Sequence, residues 1–146
     1  MTDDISGKTV SIEGCDAHDS FENSLRQYVK ALHVLSHDAE TQCEEMGNYN
    51  TPWEIQHDAG EVGLYLIRPK ECYLTVEQTE KITELSSTLL ALPKEAIAPV
   101  GMLMTSHAGC IYAMSHPAWE SFREDAKRLL ELLDPAIKKN AAYFQE

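Results

Sequence analysis

The pairing of Glu54 with His57 is the first feature of this sequence that could do chemistry. Glu-x-x-His places two metal ligands on one turn of a helix, as in di-iron bundle proteins. Such a site also needs a second Glu-x-x-His, and none occurs in the chain. Thr51, Pro52 and Glu54 instead form a helix start, with Thr51 as the N-cap and Glu54 closing a capping box. We therefore interpret Glu54 as a capping residue.

Two further sets of residues have spacings that can bind metal. His33 and His37 are four residues apart on a predicted helix, but they lie among its polar residues. The second set could form a Cys₂His₂ zinc site and consists of Cys15, His18, His107 and Cys110. The closely spaced cysteine pair of structural zinc sites is absent from it. We expect no bound metal, with zinc at these four residues as the alternative.

The sequence also contains no motif for nucleophilic catalysis or for phosphate binding. The sequence contains no glycine-rich phosphate loop and no nucleophile elbow. Single cysteines and histidines occur, but no motif places a base beside a nucleophile. We predict a protein without enzymatic activity and without a cofactor.

The charge distribution narrows the class of partner. The chain has 12 basic and 24 acidic residues, a net charge of −12. Between Lys30 and Arg68 there is no Lys or Arg, while seven Asp or Glu residues fall there. Nucleic-acid binding requires basic residues to neutralise phosphates, so we expect no direct contact with nucleic acid. An acidic surface can instead steer a basic protein partner.

The length of 146 residues and the apolar content of 43% are typical of one domain. Residues 1–14, "MTDDISGKTVSIEG", are predicted to form a flexible arm and lack the basic and apolar regions of a secretory signal. No apolar run reaches the ~20 residues that span a bilayer. With four scattered cysteines, these features predict a cytoplasmic protein with reduced thiols. The bundle domain is predicted over residues 15–146.

Helical periodicity covers nearly the whole chain and predicts an all-α, single-domain bundle of about five helices with a long N-terminal helix. The first helix is predicted from Asp19 to Met46 with one apolar stripe. A second begins after Asn50. A third begins with a capping box formed by Thr75 and Gln78.

The C-terminal half is predicted to contain two helices. One follows Pro117 and carries Trp119 on its apolar stripe, so Trp119 is expected in the core. Asp134 and Pro135 are predicted to start a last short helix. The segment 98–117 is expected to have irregular ends and a short helix whose face includes Leu103, His107, Cys110 and Met114.

The second helix has more apolar surface than a surface helix needs. The stripe that we assign to the core consists of Ile55, Ala59, Val62 and Leu66. The opposite side carries Trp53, His57, Gly60 and Leu64. Either the helix lies in the centre of the bundle, or its second side contacts another chain. A tryptophan beside a glycine suits a close contact, and tryptophan is frequent at binding hot spots.

Two stretches, "NYNTPWEIQHD" (48–58) and "MSHPAWE" (114–120), resemble those of small bacterial helical proteins of the QslA group. That group is associated with antiactivation of LuxR-type quorum-sensing regulators. The resemblance implies a nonenzymatic homodimer that binds a transcription regulator without contacting DNA. The residues that would carry over are Tyr49, Trp53, Glu54, His57, His116 and Trp119.

The leading hypothesis is therefore a protein-binding module that sequesters a partner protein. Its partner-binding surface is predicted to comprise Tyr49, Trp53, Glu54, His57, Asp58, Gly60, Glu61, Leu64 and His116. A transcription regulator is the leading partner class, and we expect neither nucleic acid nor membrane as partner. An acidic immunity-type inhibitor of a basic toxin is the alternative, and a metal-binding helical bundle is the third hypothesis.

Overall fold

The computed structural model describes residues 21–67 and 74–139, and within these ranges every regular element is a helix. The predicted all-α fold is confirmed. The predicted N-terminal arm lies outside the described residues, as do Cys15 and His18. The described helices pack around one core of buried apolar side chains drawn from almost every element.

The predicted long N-terminal helix is two helices, α1 (residues 21–36) and α2 (Ala39–Glu45). The chain leaves the helix at His37, and Asp38 caps α2 by accepting a hydrogen bond from the Thr41 amide at 2.8 Å. This bond lowers the pKa of the Asp38 carboxyl. A side chain that bonds the backbone locally competes with helix continuation, which is the physical reason for the break.

Helix α3 (Thr51–Gln56) leads without interruption through a π-helical turn (His57–Glu61) into α4 (Val62–Leu66). The predicted N-cap at Thr51 is wrong by one residue, because Asn50 is the N-cap and has φ of 48°. No side chain caps this helix start. The predicted capping-box role of Glu54 is therefore wrong as well.

The reason for the shift lies in contacts distant in sequence. The Asn50 amide donates to the Met104 carbonyl at 2.7 Å, which holds Asn50 in the left-handed conformation that asparagine tolerates. Thr51 is fully buried, and its hydroxyl donates to the Cys110 sulfur at 3.4 Å. A buried hydroxyl engaged with a thiol cannot cap the helix.

Helix α5 (Val76–Leu90) begins with the predicted capping box, which is confirmed. The Thr75 hydroxyl accepts from the Gln78 amide at 3.1 Å, and the Gln78 side chain accepts from the Thr75 amide at 2.8 Å. Gln78 also donates to the Leu132 carbonyl at 3.0 Å, which ties this helix start to the last helix.

Glycines set how closely α4 approaches its neighbours. A Cβ placed on Gly63 would lie 2.5 Å from the Ser86 hydroxyl and 2.9 Å from a Tyr28 ring carbon. Such distances are shorter than van der Waals contact, so only glycine fits where α4 crosses α1 and α5. Gln56 reinforces the crossing by donating to the Leu89 carbonyl at 2.9 Å.

A 3₁₀ turn (Lys94–Ala96), α6 (His107–Met114) and α7 (Ala118–Lys139) complete the described chain. Trp119 is fully buried, as predicted, and its indole donates to the Ala96 carbonyl at 3.0 Å. The short helix predicted within 98–117 is α6, although Leu103 precedes it and is 73% exposed.

The separate last helix predicted after Asp134 is wrong, because α7 continues through Pro135. A proline inside a helix removes one hydrogen bond, here the one to the Glu131 carbonyl. Leu133 and Ala136 are buried on either side of it, and their packing holds the helix together.

Candidate functional site

The outer side of α3 and α4 exposes large apolar side chains. Trp53 is 50% exposed and Leu64 37% exposed, and Leu90 of α5, 41% exposed, lies next to Gly60 of the same helical segment. Together with His57 these residues form what we call the Trp53 face. Exposed apolar side chains that gather in one place mark interaction surfaces more often than scattered ones do. Trp53 and Leu64 therefore lie partly on the surface of the single chain.

His57 orders the Trp53 ring. The two rings are stacked, with centroids 5.1 Å apart and planes 16° apart. The imidazole in turn lies between two carboxylates. Its Nδ1 is 3.4 Å from Asp58 Oδ1, and its Nε2 is 3.2 Å from Glu61 Oε1. The aromatic pair therefore carries acidic groups along one edge.

Gly60 has a different position from the one predicted. It is buried, and a Cβ placed on it would lie 3.1 Å from Leu90 Cδ2 and 3.9 Å from Leu89. The space beside Gly60 is thus occupied by Leu89 and Leu90 of α5 in the same chain. Leu90 is not among the residues predicted for this surface, although two consecutive leucines at the end of α5 cannot both lie on its buried stripe.

The π turn explains why Gly60 turns inward. A π turn contains more residues than an α turn and places two consecutive residues, Ala59 and Gly60, on the buried side. Trp53 precedes this turn and Leu64 follows it. Because the turn carries an extra residue, the regular α-helical spacing that assigned Trp53 and Leu64 to one side does not hold across it.

Tyr49 lies just before α3 and is 57% exposed. It belongs to a turn in which Gly47, Asn48 and Asn50 all have positive φ. The turn is fixed from outside, because the Asn48 side chain bonds His107 Nδ1 at 2.8 Å. Tyr49 is therefore presented from an anchored turn next to the start of the Trp53 helix.

His116 lies away from the Trp53 face. Its Nδ1 accepts from the Ala118 amide at 3.0 Å, which caps the start of α7. It lines a cavity of about 460 Å³ to which α3 and α4 contribute no residue, and whose other lining residues include Glu95, Pro99, Val100 and Tyr112. Glu54 is half-buried one turn before Asp58. The structure brings Trp53, His57, Asp58 and Glu61 into contact, places Leu64 on α4 beyond the π turn, and gives His116 its hydrogen bond at the start of α7.

The described residues with metal-binding spacings, which are His33, His37, His107 and Cys110, do not form a metal site. Within residues 21–67 and 74–139, no group of three or more His, Cys, Asp or Glu side chains is arranged to hold an ion. His37 bonds Glu45 at 2.8 Å, whereas His33 is exposed. His107 bonds Asn48, and the Cys110 thiol donates to the Met104 carbonyl at 3.3 Å.

Two thiols that the sequence analysis left separate meet in the core. Cys43 of α2 and Cys110 of α6 are both free and buried. Burial and the neighbouring Cys110 raise the pKa of Cys43 to about 12. A nucleophilic cysteine reacts as its thiolate, so Cys43 is held in its unreactive form.

Arg123 is a buried charge on the apolar stripe of α7, and the sequence analysis did not single it out. Its guanidinium donates to the His37 carbonyl at 3.0 Å, to the Gln42 side chain at 2.9 Å and to the Met114 carbonyl. Desolvation by burial lowers the pKa of Arg123, and the Glu120 carboxylate opposes that shift. Its contacts are structural, joining α7 to the α1–α2 break.

No family model, curated protein or solved structure matches this chain. Within the part of the chain that the structure describes, no helix has the length and apolar character needed to cross a bilayer. Function is therefore inferred from the geometry and charge of the Trp53 face.

Proposed function

We propose that this protein binds a partner protein through the Trp53 face and acts by occupying that partner, without chemistry of its own. One observation carries the proposal: Trp53 is half-exposed yet stacked in a defined orientation on His57 at 5.1 Å. Tryptophan is strongly enriched among residues that dominate binding energy. Leaving a large aromatic ring in contact with water is unfavourable, so an exposed tryptophan is typical of a surface that another molecule covers.

The order of the ring strengthens the proposal. Association costs free energy for every side chain that must be immobilised, and an already packed ring reduces that cost. Trp53 rests on His57, and His57 is placed by Asp58 and Glu61. The Trp53 side chain is therefore preorganised, and binding costs less side-chain entropy.

The resemblance to the QslA group supports a more specific role, the antiactivation of a LuxR-type transcription regulator. The resembling stretch 48–58 includes Trp53 and His57 of this face, together with Asp58, which contacts His57. The absence of Lys and Arg between positions 31 and 67 suits a protein that binds the regulator and not its DNA.

The predicted homodimer is a separate question from this face. Two copies that met through it would place the acidic segment 31–67 of one chain against the same segment of the other, and like charges across a contact are unfavourable. We assign the Trp53 face to a different protein. Sedimentation of the purified chain measures whether it also dimerises elsewhere.

The test is affinity capture from an extract of the native cell, followed by mass spectrometry. Trp53→Ala should lose the partner that the unchanged protein retains. Tyr112→Ala is the matched control, because Tyr112 is also a large exposed aromatic residue, 62% exposed, but lies on α6. Circular dichroism should show equal helicity for both variants. Retention of the same partner by Trp53→Ala would refute the proposal.

A further inference from the structure

Helix α6 carries no charged residue on its exposed side or on its buried side. The buried side consists of Gly109, Cys110, Ala113 and Met114. The outer side, which we call the α6 face, consists of Ala108, Ile111, Tyr112 and the C-cap residue Ser115. Ile111 is partly buried and the other three are exposed. A helix on the surface of a single chain needs only one apolar side, so this face has apolar surface to spare.

The loop before α6 extends this uncharged surface. Val100 is 96% exposed and lines the same cavity as Tyr112. The Leu103 backbone lies against Gly109, where a Cβ would not fit, and the Leu103 side chain is 73% exposed. Exposed apolar side chains that gather in one place mark interaction surfaces more often than scattered ones do.

Charge distinguishes the α6 face from the rest of the chain. Between Glu95 and Glu120 the sequence contains no Asp, Glu, Lys or Arg, whereas the whole chain has a net charge of −12. Charged residues lie at the borders of the face. Glu95 lines the cavity on one side, and the cleft at the Ser115 end holds charges of both signs, including Lys127. The face itself is therefore neutral on a strongly acidic protein.

From these observations we propose that the α6 face binds the same face of a second copy of this chain across a two-fold axis. Two chains of charge −12 repel each other wherever acidic surfaces meet, so a neutral apolar surface is where they can approach. A two-fold dimer pairs a surface with itself. An uncharged face gives a basic protein no attraction, and an anionic membrane would repel the acidic chain.

The spacing of residues on the α6 face suits such a contact. Because α6 is α-helical throughout, Ala108 and Ser115 lie two turns apart on the midline of the face. Ile111 and Tyr112 flank that midline on its two sides. When two such helices cross antiparallel, Ala108 of one chain lies opposite Ser115 of the other, and Ile111 lies opposite Tyr112. Small residues on the midline let the helices approach closely, and the larger side chains fill the flanks.

Sedimentation equilibrium of the full chain under reducing conditions tests the proposal. The average mass should rise with concentration towards that of two chains of 16.4 kDa each. Added salt should strengthen the dimer, because it screens the repulsion between two acidic chains, whereas it would weaken a contact held by ion pairs. A chain that stays monomeric up to its solubility limit, or whose association weakens as salt rises, would overturn the inference.

Ala108→Glu tests whether the dimer uses the α6 face. A carboxylate in the first turn of α6 favours the helix, so the fold should be kept, and circular dichroism checks this. The same carboxylate would be buried without a partner in the contact, so the dissociation constant should rise by at least about tenfold. Gln27→Glu adds the same charge at an exposed position on α1 and is the control. Equal dimerisation of the two variants would overturn the inference.

The antiparallel arrangement is tested by adding Ser115→Lys to Ala108→Glu. The introduced charges are roughly 10 Å apart within one chain at about 1.5 Å per residue, so they pair only between chains. Two such ion pairs should recover about three- to tenfold of the lost affinity, and high salt should remove the recovery. No recovery would show that Ala108 and Ser115 do not face each other, which would overturn the two-fold contact.

This inference is independent of the proposed function, and partner capture separates the two. Ala108→Glu, like Tyr112→Ala, should still capture the partner of the Trp53 face, and Trp53→Ala should still dimerise. A monomeric chain that captures its partner through Trp53 would keep the function and overturn the dimer. A monomeric chain that loses a captured protein on Ala108→Glu would assign the α6 face to that protein, which also overturns the inference.

Discussion

The Arg123 guanidinium of α7 donates to the Gln42 side-chain oxygen of α2 at 2.9 Å, and both residues are buried. The Gln42 amide in turn donates to the Val34 and Leu35 carbonyls at 3.1 and 2.9 Å. The last carbonyls of a helix have no partner within it. Gln42 therefore supplies the Leu35 carbonyl at the end of α1 with a hydrogen bond from α2, and Arg123 holds the Gln42 side chain in position for it.

Replacing Arg123 by Met should lower the free energy of unfolding by about 3 kcal/mol, because it leaves the Gln42 oxygen and two backbone carbonyls buried without a donor. Urea denaturation followed by circular dichroism measures the loss. Arg128→Met is the matched control on the same helix, since Arg128 is exposed and pairs with Asp125 three residues earlier. It should change stability by less than about 0.5 kcal/mol. Equal losses in both variants would show that the buried hydrogen bonds of Arg123 add no more to the free energy of unfolding than an exposed ion pair does.

Gly63→Ala should destabilise the fold by about 1–3 kcal/mol, because the added methyl would overlap the Ser86 hydroxyl and the Tyr28 ring. Gly60→Ala is the comparison. Its methyl meets the end of the half-exposed Leu90 side chain, which can move, and alanine favours the helix by up to about 1 kcal/mol. Thermal unfolding should place Gly63→Ala well below Gly60→Ala. The reverse order would contradict the close crossing of α4 with α1 and α5.

Stability should fall at alkaline pH partly because of Cys43. The pKa of Cys43 is raised from 9.0 to about 12 in the folded state. The stability that depends on the protonated thiol is therefore fully present below about pH 9. Between pH 9 and 12 the unfolded chain releases the proton and the folded chain does not, which favours unfolding. The loss of stability from about pH 8 to about pH 11 should be smaller in Cys43→Ala than in the unchanged protein. Identical slopes would mean that the thiol ionises equally in both states.

His57→Ala should release the Trp53 ring without unfolding the chain. Loss of the stacked pair should cost about 1 kcal/mol or less, while acrylamide should quench Trp53 more strongly and partner affinity should fall. His33→Ala, at an exposed position on α1, is the control and should change none of these quantities. Unchanged quenching in His57→Ala would show that the ring is oriented by other contacts.

The features that the sequence predicted correctly depend on neighbours along the chain. Thr75 and Gln78 form their capping box through bonds three residues apart, and Trp53 stands out because its helix has a second apolar side. The break at Asp38 was hidden because Ala39 and Cys43 continue the apolar stripe of α1 across it. The N-cap at Asn50 depends on the distant Met104 carbonyl. The inward position of Gly60 depends on a π turn and on Leu90, and neither can be deduced from helical spacing.

The π turn also determines how this segment can change in length. A π turn is a helix that carries one residue beyond the regular repeat, so a single deletion within His57–Glu61 would convert it to ordinary α-helix without breaking the chain's path. The helix after the deletion would keep its orientation, because a π turn absorbs the extra residue locally. Gly63 would stay against Ser86, and Leu64 would keep its exposed position. Homologous chains that keep this surface could therefore differ by one residue between the tryptophan and the leucine, with the π turn present in the longer chain and absent from the shorter one.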